Sequence, residues 1–272
     1  MHGFGAILSH AAKLARRVEY LPIGAPDLGK DVDLVSHAPP VMDQSFAEGC
    51  EGCMGACLLD TALSAQGYTT SSFISPWGLW TIPRMKERGA SLRAGQPAPK
   101  LTNVGVQTAD MVSGYGEFGV LPMGPTNARF CDIGTTQTDF EREVDTISLQ
   151  QAATRPIVGP YAIDPKSPSA GDLIEIGLHN GVPTGIILYA DDAFMGIKPG
   201  QVLPVPVVTP GVNRLHAVSI LGVVYTAVSR ERLFLIRNSY GTGFGDNGNT
   251  FIDDAGIAAS YELWPHVIKG VA

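Results

Sequence analysis

The chain has 272 residues, room for one large domain or for two lobes of about 100 to 150 residues each. Hydrophobic residues make up 44% of it and charged residues 17%, an ordinary globular composition that excludes a disordered or coiled-coil chain. The formal net charge of -7 leaves no basic face for nucleic-acid phosphates, and no run approaches the ~20 apolar residues of a membrane span.

Met1 to Tyr20 places Ile7, Leu8, Ala11, Leu14, Ala15 and Val18 at helical spacing, with Arg16 and Arg17 late, and reads as a short amphipathic helix. A secretory signal carries its positive charges ahead of the apolar run rather than behind it, so no classical export is expected. The Pro- and Gly-rich segment from Leu21 to Val41 is expected to run extended along a surface.

Three of the four cysteines, Cys50, Cys53 and Cys57, fall in one short stretch, with Cys131 apart from them. They are too few and too bunched for a disulfide-rich scaffold. From Cys53 onward, Met54, Cys57, Leu58, Thr61, Ala62 and Ala65 recur at helical spacing until Gly67, which predicts a buried helix of about 13 residues opening at Cys53. Further helices are predicted over Ser75 to Arg88 and Thr108 to Gly116, separated by a Pro-rich loop at 96–99, so the first half reads as mainly helical.

The second half changes character. Leu173 to Leu178 ends at His179-Asn180-Gly181, and β-rich runs follow at Thr184 to Tyr189, Val202 to Val208, His216 to Val228 and Arg232 to Asn238. The stretch near 150–171, with four prolines, is the expected lobe boundary, and no repeat recurs at a fixed period.

A thiol attacks only as thiolate, and a helix N-terminus favours negative charge there, which suits Cys53 at the expected helix start. Such a nucleophile needs an imidazole beside it and an amide or carboxylate to orient the ring. His216 and Asn238 follow in that order, and their contexts carry a resemblance. Asn238-Ser239-Tyr240-Gly241-Thr242-Gly243-Phe244-Gly245-Asp246-Asn247-Gly248 resembles the Asn-Ser-Trp-Gly-x-x-Trp-Gly-x-x-Gly block of papain-like cysteine peptidases, each Trp replaced by another aromatic. The glycines suit a loop needing positive φ and close backbone approach, and the aromatics suit shielding of a His-Asn hydrogen bond.

Cys50-Glu51-Gly52-Cys53-Met54-Gly55 resembles the family's Cys-Gly-Ser-Cys-Trp-Ala block, with Cys53 in the nucleophile's place and Met54 in place of Trp. Gln44 in Val41-Met42-Asp43-Gln44 resembles the oxyanion glutamine, which in that family stands six positions before the nucleophile. Six positions from Gln44 is Cys50, so Cys53 requires a three-residue insertion. Cys53 is preferred because it opens the apolar helix directly, whereas Cys50 would put Glu51 and glycines in the first turn; Cys50 remains the alternative.

Phe73-Ile74-Ser75-Pro76 resembles the family's Leu-Ser-Pro element. Asn103 to Thr108 resembles its glycine-bearing edge, which makes Gly105 and Val106 the expected backbone partners of an extended substrate. Leu178 to Pro183 and Asp191 to Gly200 continue the similarity, which covers about residues 21–264.

The resemblance implies a two-lobe α+β papain-like fold after an N-terminal extension at 1–20. Its helical lobe is expected at about 45–150, and an antiparallel β-barrel-like lobe at about 151–264 together with 21–44. It implies a cysteine endopeptidase acting on protein or peptide through a thioester, with Cys53, His216, Asn238 and Gln44 as the catalytic set and no cofactor. Transpeptidation, deamidation, isopeptide cleavage or a catalytically inactive peptide-binding module are the alternatives. A zinc site on Cys50, Cys53 and Cys57 lacks a second ligand pair, and no metal is expected. Cys57 and Cys131 read as small core hydrophobes, and the remaining histidines as structural. In the family the position of Cys50 often carries a disulfide, for which Cys131 is the partner left open. The short extension and missing export signal lead to the expectation of a bacterial or viral protein that acts inside a cell or leaves by a specialised route.

Overall fold

The computed structural model of the protein describes residues 16–17, 28–69, 72–87, 104–123, 156–158, 161–208 and 214–271. In chain order come β1 (Arg16–Arg17), β2 (Val32–Asp33), α1 (Cys50–Ala65), α2 (Pro76–Glu87) and α3 (Thr108–Phe118). They are followed by β3 (Pro156–Val158), β4 (Tyr161–Ala162), α4 (Ala170–His179), β5 (Thr184–Ala190) and α5 (Asp192–Met195). The last elements are β6 (Arg214–Tyr225), β7 (Arg232–Arg237), β8 (Asn249–Asp253), α6 (Asp254–Ala258), β9 (Glu262–Pro265) and β10 (Ile268–Val271).

Every residue of α1 from Cys50 to Leu63 is buried, the signature of a helix covered on all sides. One side packs on α2 and α3, the other on β5 and β6. Gly52 makes the first contact possible, because a Cβ there would collide with the Pro76 carbonyl oxygen. At the start of α2, Pro76 occupies the first helical position, where a missing N–H costs nothing, and the Ser75 hydroxyl accepts from the Gly78 N–H at 3.2 Å. Sequence signals thus place α2 and α3 within two residues of their observed ends.

α1 starts at Cys50, three residues before the expected helix. Glu51 fits the first turn because its buried carboxyl accepts from the Thr108 hydroxyl of α3 at 3.0 Å. The features that argued against an early start, an acidic residue and a glycine, are contacts with the two neighbouring helices.

Strand order in the main sheet is β8-β7-β6-β5-β9, all pairs antiparallel, with β2 added on β6. β6 pairs with β5 over Arg214 to Ile220 and with β7 over Ser219 to Tyr225, and its register shifts between Ile220 and Gly222. Along β6, Ala217 and the half-buried Leu215 join the helical core, while Val218 and Ile220 join the β core. The two clusters are the cores of two lobes, and α1 is the wall between them. Among smaller pairings, β1 runs parallel to β4 and β10 antiparallel to β3.

Arg232 of β7 ties three elements together, reaching Asp172 of α4 at 2.7 Å, Glu175 of α4 at 3.0 Å and Asp254 of α6 at 2.8 Å. Glu175, whose side chain is fully buried, also accepts from the Gly29 N–H at 2.7 Å and the Tyr225 hydroxyl at 2.6 Å.

Several sequence expectations differ from the fold. Val202 to Val208 is not a strand: Val202 makes one isolated bridge to Phe251, and Pro204 and Pro206 cannot donate to a ladder. Leu173 to Leu178, in the half read as mainly β, lies inside helix α4. β8, α6 and β9 were not anticipated. Most of the helix expected over Met1 to Tyr20 lies outside the described residues, and Arg16–Arg17 form a strand instead. The loop at 96–99, Cys131 and much of 150–171 also lie outside them. Among the described residues no helix is long and apolar enough to cross a membrane.

Candidate active site

Register brings the polar residues together. Arg237, the last residue of β7, pairs with Ser219 of β6, and the chain beyond it brings Asn238 and Tyr240 back onto His216, with Tyr240 bridged to Asp43. The loop that holds Asn238 and Tyr240 in place folds back on itself. The Asn238 N–H donates to the Gly248 carbonyl at 2.9 Å and the Gly248 N–H to the Phe244 carbonyl at 2.7 Å. Gly248 has φ +84°, a left-handed conformation, and a Cβ on it would strike Val41.

His216 is fully buried. Its Nε2 lies 2.7 Å from Asn238 Oδ1, and that oxygen also accepts from the Ser239 N–H at 2.7 Å. An amide oxygen can only accept, so Nε2 carries the proton and Nδ1 is the basic nitrogen. Two aromatics enclose the ring. Tyr240 stacks on it, with centroids 4.6 Å apart and planes tilted by 30°, and Phe194 meets it edge-on at 5.3 Å. Phe244 closes the cage against Phe194 and Tyr240. Of the two aromatics that stand where the resembled motif has tryptophan, Tyr240 covers the imidazole directly and Phe244 backs it through Tyr240 and Phe194. Tyr240 adds a polar atom, its hydroxyl, 3.3 Å from His216 Nδ1.

Gln44 is fully buried, 2.9 Å from the Ser239 carbonyl through its backbone N–H. The Ser239 hydroxyl donates to Gln44 Oε1 at 2.5 Å and Gln44 Nε2 donates to the Ala47 carbonyl at 2.8 Å. Both ends of the amide are thereby oriented.

The two candidate thiols occupy different settings. Cys50 is the first residue of α1, after the N-cap Gly49, and its N–H precedes the intrahelical ladder. It lies near enough to act on Tyr240, whose phenol is pushed up first by burial, then by Cys50 and Glu48, against Arg214. Cys53 sits one turn further on, and its own N–H donates to the Gly49 carbonyl at 3.1 Å. With Cys57 it lines a small cavity between α1 and the sheet, together with Met54, Ser219, Arg237 and Asn238. Burial pushes the Cys57 thiol up, with Arg237 and Ser219 opposing, which suits an inert core thiol. Gln44, His216 and Asn238 therefore meet at the N-terminal end of α1, and Cys53 lies on the sheet side of it.

Gly105 and Val106 lie just before α3, both buried, with Val106 inside the helical core and exposed Val104 giving its carbonyl to the Trp80 indole at 3.1 Å. Any part they take in binding is through the backbone. Among the described residues no group of three or more His, Cys, Asp or Glu could hold a metal. His37, His179 and His266 contact Ser64, Glu175 and the Trp264 carbonyl respectively, all structural settings. Sequence reasoning assigned no role to Ser239 or Phe194, although Ser239 lies inside the best-matching motif and Phe194 inside the resembling stretch from Asp191 to Gly200.

A central buried helix between a helical core and an antiparallel sheet has counterparts among solved structures. Xylellain, a cysteine protease from Xylella fastidiosa, superposes with a TM-score of 0.65 at 18% identity, covering 99% of this chain and 97% of that one. The fold is that of the papain-like cysteine peptidases. Digestive procathepsin L2 proteinase from the Tenebrio molitor larval midgut matches with a TM-score of 0.59 at 18% identity, over 96% of this chain and 73% of its own. The Amb a 11 cysteine protease of ragweed pollen, in its proform, matches at 0.59 and 16%, over 90% and 66%. No protein-family model and no curated protein sequence matches the chain. In the papain-like frame, the sheet-borne pair and the helix-borne thiols belong to opposite lobes.

Proposed function

We propose that the protein is a cysteine peptidase that hydrolyses peptide bonds through Cys50, His216 and Asn238, with Gln44 in the oxyanion hole. The observation that carries this reading is the His216 Nε2 to Asn238 Oδ1 contact of 2.7 Å, buried under Tyr240 at the start of α1. It turns Nδ1 toward proton exchange with a thiol. The nucleophile moves from Cys53 to Cys50 on three grounds. Cys50 stands at the helix N-terminus, where unpaired donors and the macrodipole favour a thiolate. It is six positions after Gln44, so no insertion is needed. An oxyanion hole also requires the nucleophile's own N–H, and that of Cys53 is committed to Gly49.

In the proposed cycle the Cys50 thiolate attacks the scissile carbonyl, and the Gln44 side-chain N–H with the Cys50 N–H stabilises the oxyanion. The His216 imidazolium gives its Nδ1 proton to the departing amine, then takes a proton from the water that hydrolyses the thioester. An extended peptide would lie along the backbone of Gly105 and Val106. Papain-like structural neighbours described as cysteine proteases, xylellain and Amb a 11, support the activity class.

Cys50 and His216 are both fully buried, which favours a second reading in which the folded chain is a closed, catalytically silent form. Intact-mass analysis after treatment with an epoxysuccinyl peptide separates them. The expected result is one adduct, lost in Cys50→Ala and kept in Cys53→Ala. Loss only in Cys53→Ala would return the nucleophile to Cys53, and no adduct on the wild type would favour the silent form.

A further inference from the structure

Tyr240 replaces a ring that elsewhere only shields, and it brings a hydroxyl to the one imidazole nitrogen that the peptidase reading reserves for the thiol. We propose that the Tyr240 hydroxyl is a positioning group that caps Nδ1 of His216 in the resting enzyme, donating to it and competing with Cys50 for the basic nitrogen. The inference rests on the function proposed above and adds a restraint on its resting state.

Three observations converge on it. The hydroxyl lies 3.3 Å from Nδ1, and Asn238 fixes the other nitrogen as the protonated one, so Nδ1 is the acceptor and the phenol the donor. Stacking at 4.6 Å and the Phe194 and Phe244 contacts hold the phenol in that place, with Tyr240 only 6% exposed. Burial first, then the neighbouring Cys50 and Glu48, against Arg214, push the phenol above its ordinary range, which favours its protonated, donating form. The charged groups that act on the phenol are Cys50 of α1, Glu48 just before it and Arg214 of β6, while the His216 ring itself meets Asn238, Tyr240 and apolar Phe194.

An O–H donated to Nδ1 stabilises the neutral imidazole and has to be given up when Nδ1 takes the thiol proton. The cap therefore shifts the dyad toward thiol plus imidazole and raises the pH at which Cys50 becomes thiolate. The long contact indicates a modest hydrogen bond, so removing it should move that midpoint by about half a unit to one unit.

The test is the pH dependence of iodoacetamide alkylation at Cys50, read by peptide mass on the full chain with Tyr240→Phe, Tyr240→Trp and the wild type. Both variants keep an aromatic over His216 and lose the hydroxyl. The expected result is a midpoint lowered in both, by about half a unit to one unit, with a three- to tenfold faster reaction on the acid side. A midpoint unchanged or raised in either variant overturns the proposal, whatever happens to the rate at high pH. A wild-type Cys50 with no pH-dependent reaction between pH 4 and 9 would instead sink the peptidase reading, and the cap with it.

Discussion

Gln44 and Ser239 hold each other twice, the Gln44 N–H donating to the Ser239 carbonyl at 2.9 Å and the Ser239 hydroxyl to Gln44 Oε1 at 2.5 Å. The Ser239 N–H donates in turn to Asn238 Oδ1, which also binds His216. One residue thus touches both the proposed oxyanion donor and the amide proposed to orient the base. Ser239→Ala keeps the backbone bonds and frees the amide end, so kcat is expected to fall about tenfold with KM little changed. Steady-state kinetics on a fluorogenic peptide would measure it, and a pure KM effect would contradict this role.

Gln44→Ala removes the side-chain donor itself. Loss of one oxyanion-hole donor costs roughly 100- to 1,000-fold in kcat, and Gln44→Glu should do no better because a carboxylate has no N–H to give. A variant within tenfold of the wild type would show that another group holds the oxyanion.

The two thiols should separate cleanly in activity and stability. Cys50→Ala is expected to lower turnover by about 10,000-fold or more, as loss of a covalent nucleophile does. Cys53→Ala should retain turnover and lose about 1 kcal/mol of stability, since it removes one sulfur beside an existing small cavity. Urea denaturation alongside the kinetics reads both effects.

Arg232 is the charge on which buried Glu175 depends. Arg232→Met leaves that carboxylate without its cation, a loss of roughly 3 to 5 kcal/mol, while the half-exposed Asp172 and Asp254 add little. Adding Glu175→Gln should recover part of it, and strictly additive losses in the double variant would refute the coupling.

Asp60 gives a pH signature. Burial pushes its carboxyl from the ordinary 3.8 up to about 7, against the opposing Ile74 N–H. The folded state therefore holds the proton more tightly than the unfolded chain, so this group's contribution is most favourable below about pH 4. It is lost as pH rises toward 7, by an amount on the order of 4 kcal/mol. Buried Glu51 acts in the same direction. His266 opposes them: burial lowers it to about 4, so its contribution is lost as pH falls from 6.5 toward 4. Asp60→Asn keeps an acceptor for Ile74 and removes one slope. The stability of the wild type minus that of the variant should fall between pH 4 and 7, and a flat difference would discount the shift.

Much of the site was legible because local geometry demands particular residues. The glycines and aromatics from Asn238 to Gly248 mark a loop that must turn left-handed and cover a ring, and Ser75-Pro76 marks a helix start; both hold in the fold. The even spacing from Gln44 to Cys50 was legible as well, but propensity pulled the helix start to Cys53. What reversed that choice is invisible along the chain: Glu51 finds Thr108 and Gly52 finds Pro76, contacts that convert poor first-turn residues into required ones.

By itself the sequence determined the helices flanking α1, because periodicity, caps and turn chemistry act over a few residues, while the class of fold and the pairing of His216 with Asn238 were legible only through motifs that resemble those of papain-like peptidases. Tertiary structure decided the rest: where α1 begins, that Val202 to Val208 forms no strand, and that a tyrosine hydroxyl stands at Nδ1. Each of these depends on which distant residue supplies the opposite half of a contact, as when the loop after β7 lays Tyr240 against His216.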